Sequence, residues 1–198
     1  TGTAPATLAH MLRRFPAETL RPGDVVATND PWMGTGHLFD VNVMQPVFRR
    51  GALVGYTLSI THLPDIGGAG FSATAREVYE EGLRLPIIRL AREGRVDDDW
   101  IDLIRTNVRV PEQTIGDLMA NVTCTNVGAR MLVEFMEEYG IDDLTPLADA
   151  ILAQSERAIR DELRRIPEGV YENAIDIEGH AETLRLACRI AISGGEAH

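Results

Sequence analysis

Two histidines and three aspartates in turn-rich stretches carry the clearest chemistry in this chain. His37 and Asp40 close the run Asn29-Asp30-Pro31-Trp32-Met33-Gly34-Thr35-Gly36-His37-Leu38-Phe39-Asp40, and His62 and Asp65 lie in Thr61-His62-Leu63-Pro64-Asp65-Ile66-Gly67-Gly68. Two neutral imidazoles with a carboxylate suit zinc, manganese or iron, and three protein ligands leave positions open for water or substrate. His37, Asp40 and His62 are therefore the candidate ligands of a divalent metal. Such an ion lowers the pKa of bound water or polarises a carbonyl. Asp30 and Asp65 are the candidate catalytic carboxylates, serving as further ligands, as partners that orient the imidazoles, or as a general base.

Each of these residues also has an ordinary structural reading. Asn29-Asp30-Pro31 is a common turn initiator, so Asp30 can simply cap nearby backbone N–H groups, and Asp40 can do the same before a strand. A lone histidine at a strand end is more often hydrogen-bonded or exposed than a ligand. The two sets gain weight because the elements around them bring them together.

Val25 to Thr28 reads as a short buried strand that delivers Asn29 and Asp30. Val41 to Phe48 and Ala52 to Thr61 read as a hairpin about Arg49-Arg50-Gly51. Pairing Phe48 with Leu53 opposes Val47, Val43 and Val41 to Val54, Leu58 and Ile60, and sets Asp40 beside Thr61. Both histidine loops then leave one end of the hairpin. Regular strand geometry puts His37 and His62 on one face and Asp40 and Asp65 on the other. A shared site thus requires the loops to leave extended geometry, a freedom supplied by Gly34, Gly36, Gly67 and Gly68. Pro46 cannot donate to a ladder, which predicts an edge strand or a bulge there.

The remaining elements follow from periodicity. Pro5, Leu8, Met11, Leu12 and Phe15 predict an amphipathic helix over 5–15. Thr74 and Glu77 have capping-box spacing for a short helix ending near Gly82. Arg84 to Leu90 is a strand or an extended arm, and Asp97–Asp99 precede a helix carrying Trp100, Leu103 and Ile104. Pro111 opens a long helix whose apolar residues run to Met136 before Gly140, and Thr145-Pro146 starts another that ends before Pro167. These two are expected to pack as an antiparallel pair. Gly169 to Ile177 and Thr183 to Ile192 form a final β pair with one buried face. The fold class is mixed α/β (α+β): a central sheet containing the hairpin, a long helical pair and a C-terminal β pair. The expected organisation is a single domain over 1–198, with the metal-site-like region at 1–110, the helical hairpin at 111–167 and the β pair at 168–198.

Composition narrows the function. A formal charge of -11 argues against nucleic acid or an anionic membrane as partner, since both select basic surfaces. All 19 basic residues are arginines, so lysine-based Schiff-base or general-base chemistry is excluded. No apolar run approaches a membrane span and no basic-then-apolar signal segment is present, so a cytoplasmic location is expected. Cys124 and Cys188 read as buried apolar residues in a reducing compartment. The start at Thr1 and the tail after the last strand suggest a fragment of a longer polypeptide. His10, His180 and His198 read as surface groups. Gly67-Gly68-Ala69-Gly70 lacks the Gly-Lys-Ser/Thr ending of a nucleotide loop. Ser59 and Ser72 lack a nucleophile-elbow context.

The motifs resemble the hydantoinase B/oxoprolinase family. The likeness is carried by Gly23-Asp24-Val25, Asn29-Asp30-Pro31-Trp32, the glycine-histidine turn to Asp40, Pro46-Val47-Phe48 and His62 to Gly68. It continues through Glu77-Val78-Tyr79-Glu80-Glu81-Gly82-Leu83-Arg84, Asn107-Val108-Arg109, Gly116-Asp117-Leu118 and Val127-Gly128-Ala129-Arg130. Many members carry two consecutive histidines where this chain has His62-Leu63. The resemblance implies the B-type part of a two-component enzyme that hydrolyses a small cyclic amide of hydantoin or 5-oxoproline type, or a related ketone carboxylase. It further implies a metal at His37, Asp40 and His62, and a hetero-oligomer with a hydantoinase A-type subunit. ATP is expected on that partner and not on this chain. The alternative is a non-catalytic scaffold piece whose long helices dock the partner.

Overall fold

The β-branched runs become three neighbouring strands, Val25–Thr28 (β1), Asp40–Arg49 (β2) and Ala52–His62 (β3). With Ile88–Arg92 (β4) and Arg95–Val96 (β5) they make an antiparallel sheet in the order β3-β2-β1-β4-β5. The computed structural model describes residues 2–72, 74–179 and 181–198, and the chain divides into two units, Thr1–Asp142 and Asp143–His198. The sheet belongs to the first.

β2 and β3 join through Arg50-Gly51, whose φ values of 51° and 82° are the positive pair that a tight primed turn requires. Near this turn the pairing is as expected, with Phe48 opposite Leu53. It then shifts by one residue: Val47 faces Gly55, leaving Val54 as the extra residue of a β-bulge. From there on every expected pair is displaced. Val41 opposes Thr61, and Asp40 opposes His62, not Thr61. The apolar register read from the sequence fails because the side of β3 that pairs with Val41, Val43 and Val47 carries Thr61, Ser59 and Gly55.

Those small polar residues face a helix. Pro111–Glu138 (α4) packs on β2 and β3 and meets them through hydrogen bonds. The Thr57 hydroxyl donates to the Thr125 carbonyl at 3.0 Å, and the Asn121 amide donates to the Val41 carbonyl at 2.9 Å. Ala4–Arg14 (α1) contributes Met11, with Leu8 and Leu12, to a second cluster that includes Val26, Met44, Tyr56 and Leu58. The main core gathers Val25, Ala27, Leu38, Phe39, Val41, Val43, Leu63, Ile88 and Leu90 with Ile104, Leu118 and Val122. Ile104 comes from Asp98–Asn107 (α3), whose N-terminus is capped by the Asp97 carboxylate accepting from the Asp99 N–H.

Three further expectations change here. Of the two alternatives expected at Pro46, the edge fails, since β2 is an interior strand; Pro46 is tolerated because the pairing with β1 ends at Met44, and a bulge lies close by, between Val47 and Phe48. The short helix near 74 is Val78–Glu81 (α2), with Glu77 at its N-cap position making no side-chain capping bond, so the expected capping box does not form, and with Gly82 at its C-cap. The two long helices expected to pair fall in different units. α4 covers the sheet, whereas Thr145–Leu163 (α5) contacts the short strand Glu196–Ala197 (β8).

The second unit contains α5, Gly169–Glu178 (β6), Thr183–Ser193 (β7) and β8, in the sheet order β6-β7-β8. The expected β pair forms, with Ile175 opposite Leu186 and Ile177 opposite Leu184. Its apolar face is exposed, as are Tyr171 and Ile190, and α5 has no buried residue. Cys188 shares that face and is exposed; Cys124 is exposed on α4. Neither cysteine is the core residue expected. Among the described residues, no helix is long and apolar enough to cross a membrane.

Candidate functional site

The displaced register builds the site. As a cross-strand pair, Asp40 and His62 share one side of the sheet end, and the carboxylate spans both imidazoles. Asp40 Oδ1 is 3.1 Å from His62 Nδ1, and Oδ2 is 3.3 Å from His37 Nε2. Leu38 and Phe39, buried between His37 and Asp40, anchor that loop in the core. The Leu63 N–H donates to the Phe39 carbonyl at 2.9 Å and extends the ladder past His62. Leu63, the residue after His62, is itself buried in the core.

His37, Asp40 and His62 offer ligating atoms that all lie within 4.8 Å of one another. Two imidazoles and one carboxylate are the donors a divalent zinc, manganese or iron ion takes, so the residues present fit such an ion. His37 Nδ1 is shielded from solvent and has no hydrogen-bond partner among the described residues. The site is open: the His37, Asp40 and His62 side chains are 39%, 21% and 46% exposed. Aromatic rings surround it. Phe39 stacks on His62 with centroids 5.1 Å apart and an interplanar angle of 12°, and Phe71 meets His62 in a T-shape at 5.1 Å.

Asp65 stands elsewhere. It is buried, and its carboxylate accepts the Gly67 N–H at 2.9 Å, the Arg109 N–H, and the Arg109 guanidinium at 2.9 Å. Burial alone would raise this carboxyl, but the two N–H groups and the guanidinium outweigh it and hold the pKa below its ordinary value. Arg109 also donates to the Gly67 and Gly68 carbonyls. A Cβ on Gly67 would strike the Asn107 carbonyl, and one on Gly68 the backbone of Glu81, so both glycines are set by close approach as well as by positive φ.

Asp30 is also outside the three-residue group. It is buried, its Oδ1 accepts the Trp32 N–H at 3.0 Å, and its Oδ2 lies 3.8 Å from Arg84 Nε. Turn capping describes these contacts. Its neighbour Asn29, 2% exposed, ties three segments together: its amide donates to the Leu38 and Leu83 carbonyls, and its oxygen accepts the Leu85 N–H. Sequence alone assigns no role to Asn29, Arg109, Phe39 or Phe71. Only the polar Asn29 at the end of a buried strand carries a local signal. His10 pairs with Arg13 and His198 with Glu196, while His180 lies outside the described residues.

The sequence matches the family model described as Hydantoinase B/oxoprolinase over residues 1–198. The chain belongs to the hydantoinase B/oxoprolinase family. Within it, the chain is 36% identical over 190 residues to the beta chain of the caprolactamase of Pseudomonas jessenii, covering 93% of this chain and 33% of that one. It is 27% identical over 190 residues to the B component of a putative D-/L-hydantoinase of Pseudomonas sp. (strain NS671), covering 90% and 32%. The crystal structure of the ATP-dependent caprolactamase from Pseudomonas jessenii superposes with a TM-score of 0.89 at 34% identity, covering 100% of this chain and 35% of that one. The chain thus spans about a third of the length of these hydantoinase B relatives.

Proposed function

We propose that this chain is the part of a hydantoinase B-type subunit that holds the metal and completes hydrolysis of an ATP-activated cyclic amide. ATP would be bound by a hydantoinase A-type partner subunit. One observation carries the reading: the Asp40 carboxylate lies between two imidazoles at a solvent-accessible sheet end, with all three ligating atoms within 4.8 Å. The names of two relatives, one a caprolactamase component and the other a putative hydantoinase component, support the substrate class.

His37, Asp40 and His62 would hold a divalent zinc, manganese or iron ion, which supplies Lewis-acid polarisation of an amide carbonyl or acidification of water. Asp40 sets the orientation of both rings, and Phe39 fixes the plane of His62. Asp30 and Asp65, the sequence candidates for proton transfer, are assigned here to shaping the two loops. Their carboxylates are occupied by the Trp32 N–H and by Gly67 and Arg109.

A second reading, a docking piece for the partner subunit, is favoured by the exposed Ile151, Leu152 and Ile159 of α5. Elemental analysis of purified wild type, His37→Ala, His62→Ala and Asp40→Asn separates the two. About one zinc, manganese or iron per wild-type chain is expected, with each substitution losing most of it. Equal metal content in all four proteins overturns the metal reading and leaves docking.

A further inference from the structure

We propose that Asn29 is a positioning residue for the candidate metal centre, and that it acts through His37 by pinning the Leu38 carbonyl. The proposal rests on the metal reading of His37, Asp40 and His62, and adds a residue outside that group on which metal affinity depends.

The three ligands are not held equally. Asp40 and His62 oppose each other in the β2–β3 ladder, so the sheet sets both. His37 lies outside it, in a run of turns and bends over residues 31–39. Gly36, just before it, sits at φ 98° and adds conformational freedom on that side. The restraint comes from the other side. The Leu38 side chain is fully buried and its carbonyl accepts the Asn29 amide at 2.7 Å, while the Phe39 carbonyl accepts the Leu63 N–H at 2.9 Å. The bond from Asn29 is thus the side-chain contact that reaches the backbone next to His37.

Asn29 has the groups this task needs. Its second amide N–H goes to the Leu83 carbonyl at 2.9 Å and its oxygen accepts the Leu85 N–H at 2.6 Å, so both donors and the acceptor of one planar amide are used. Leu83 in turn donates its N–H to the Ile66 carbonyl at 2.8 Å, in the loop that follows His62. One buried side chain therefore couples the loop before Asp40 to the loop after His62. Aspartate has the same length but, ionised, no donor for either carbonyl. Groups that orient a metal ligand from outside the coordination shell typically change metal affinity about 10–100-fold when substituted.

The test compares wild type, Asn29→Asp, Asn29→Ala and Met11→Ala as full chains, with zinc affinity read by chelator competition. Asn29→Asp should bind zinc at least about tenfold more weakly. Asn29→Ala, which removes the amide without setting a carboxylate against two carbonyls, should show a loss of the same sign. Met11→Ala, which opens a cavity in the cluster under α1, should lower the urea midpoint and keep zinc affinity within about twofold of wild type. The ring nitrogen NMR signals of zinc-saturated Asn29→Asp should show His62 still coordinated and His37 shifted toward its metal-free position. In the metal-free chain, hydrogen exchange should quicken at the Leu63 and Leu83 N–H groups and stay unchanged at Val43 within the sheet. Wild-type zinc affinity in both Asn29 variants overturns the proposal, as does an equal loss in Met11→Ala, an equal shift of both histidines, or failure of both Asn29 variants to fold. Absence of zinc uptake by wild type is a different result, and overturns the metal reading together with this proposal.

Discussion

Asp40 and Asp65 each follow a histidine by three positions, and both loops leave the same end of one hairpin, yet their carboxylates are used in opposite ways. Asp40 begins β2, so its backbone is committed to the ladder and its carboxylate is left to two imidazole side chains. Asp65 precedes a turn in which Gly67, at φ 81°, sends its N–H back to the carboxylate, and Arg109 supplies another N–H and a guanidinium. The same short pattern thus yields an open, chemically available carboxylate in one place and a saturated structural one in the other. What decides between them is the supply of backbone donors, which depends on whether a strand or a turn comes next.

The difference can be broken experimentally, and the largest effect belongs to Asp65. Asp65→Ala strands two N–H groups and frees a largely exposed guanidinium, and should cost about 2–3 kcal/mol of folding stability, read by urea denaturation, with zinc stoichiometry intact in the protein that stays folded. A zinc deficit in Asp65→Ala as large as that in Asp40→Asn would erase the distinction. Because the Asp65 pKa is lowered in the folded chain, its contribution is fully present above the ordinary carboxylate value. It is lost as pH falls from about 4 through the folded value, so wild type should lose stability more steeply over that acid range than Asp65→Asn. Asp40→Asn should do the reverse: zinc affinity falls at least about tenfold, or about 1.4 kcal/mol. Its unfolding stability should remain within about 0.5 kcal/mol of wild type. The smallest effect is expected for Arg109→Ala, about 1 kcal/mol of stability, since the Gly67 and Arg109 N–H groups still serve Asp65.

Much of this is legible from residue order. β1 is placed residue for residue, the hairpin to within a residue or two, and the histidines and Asp40 fall together because both loops must leave one sheet end. The parity objection to Asp40 assumes an uninterrupted ladder; a single unpaired valine removes it, and nothing in the local sequence marks that valine. Arg109 stays hidden for a related reason. It lies 44 residues from Asp65, and nothing in either local stretch signals that its N–H and guanidinium meet that carboxylate and the Gly67 and Gly68 carbonyls. The apolar face of β7 is recognisable, but periodicity reports which face is apolar and not whether anything covers it. The polar seam of Thr57, Asn121 and Thr125 between sheet and α4 runs against the expectation of an apolar contact.

The unpaired Val54 has a consequence for how lengths can vary among homologous chains. Lost from the hairpin, it would leave Gly55 opposite Val47 and His62 opposite Asp40, now in a ladder without interruption. A gap between 56 and 61 would instead turn every later side chain of β3 over and carry His62 away from its carboxylate. Insertions and deletions on the turn side of that valine are therefore silent for the chemistry, and those on the far side are not. An alignment of this hairpin should show its length differences crowded between Arg49 and Gly55.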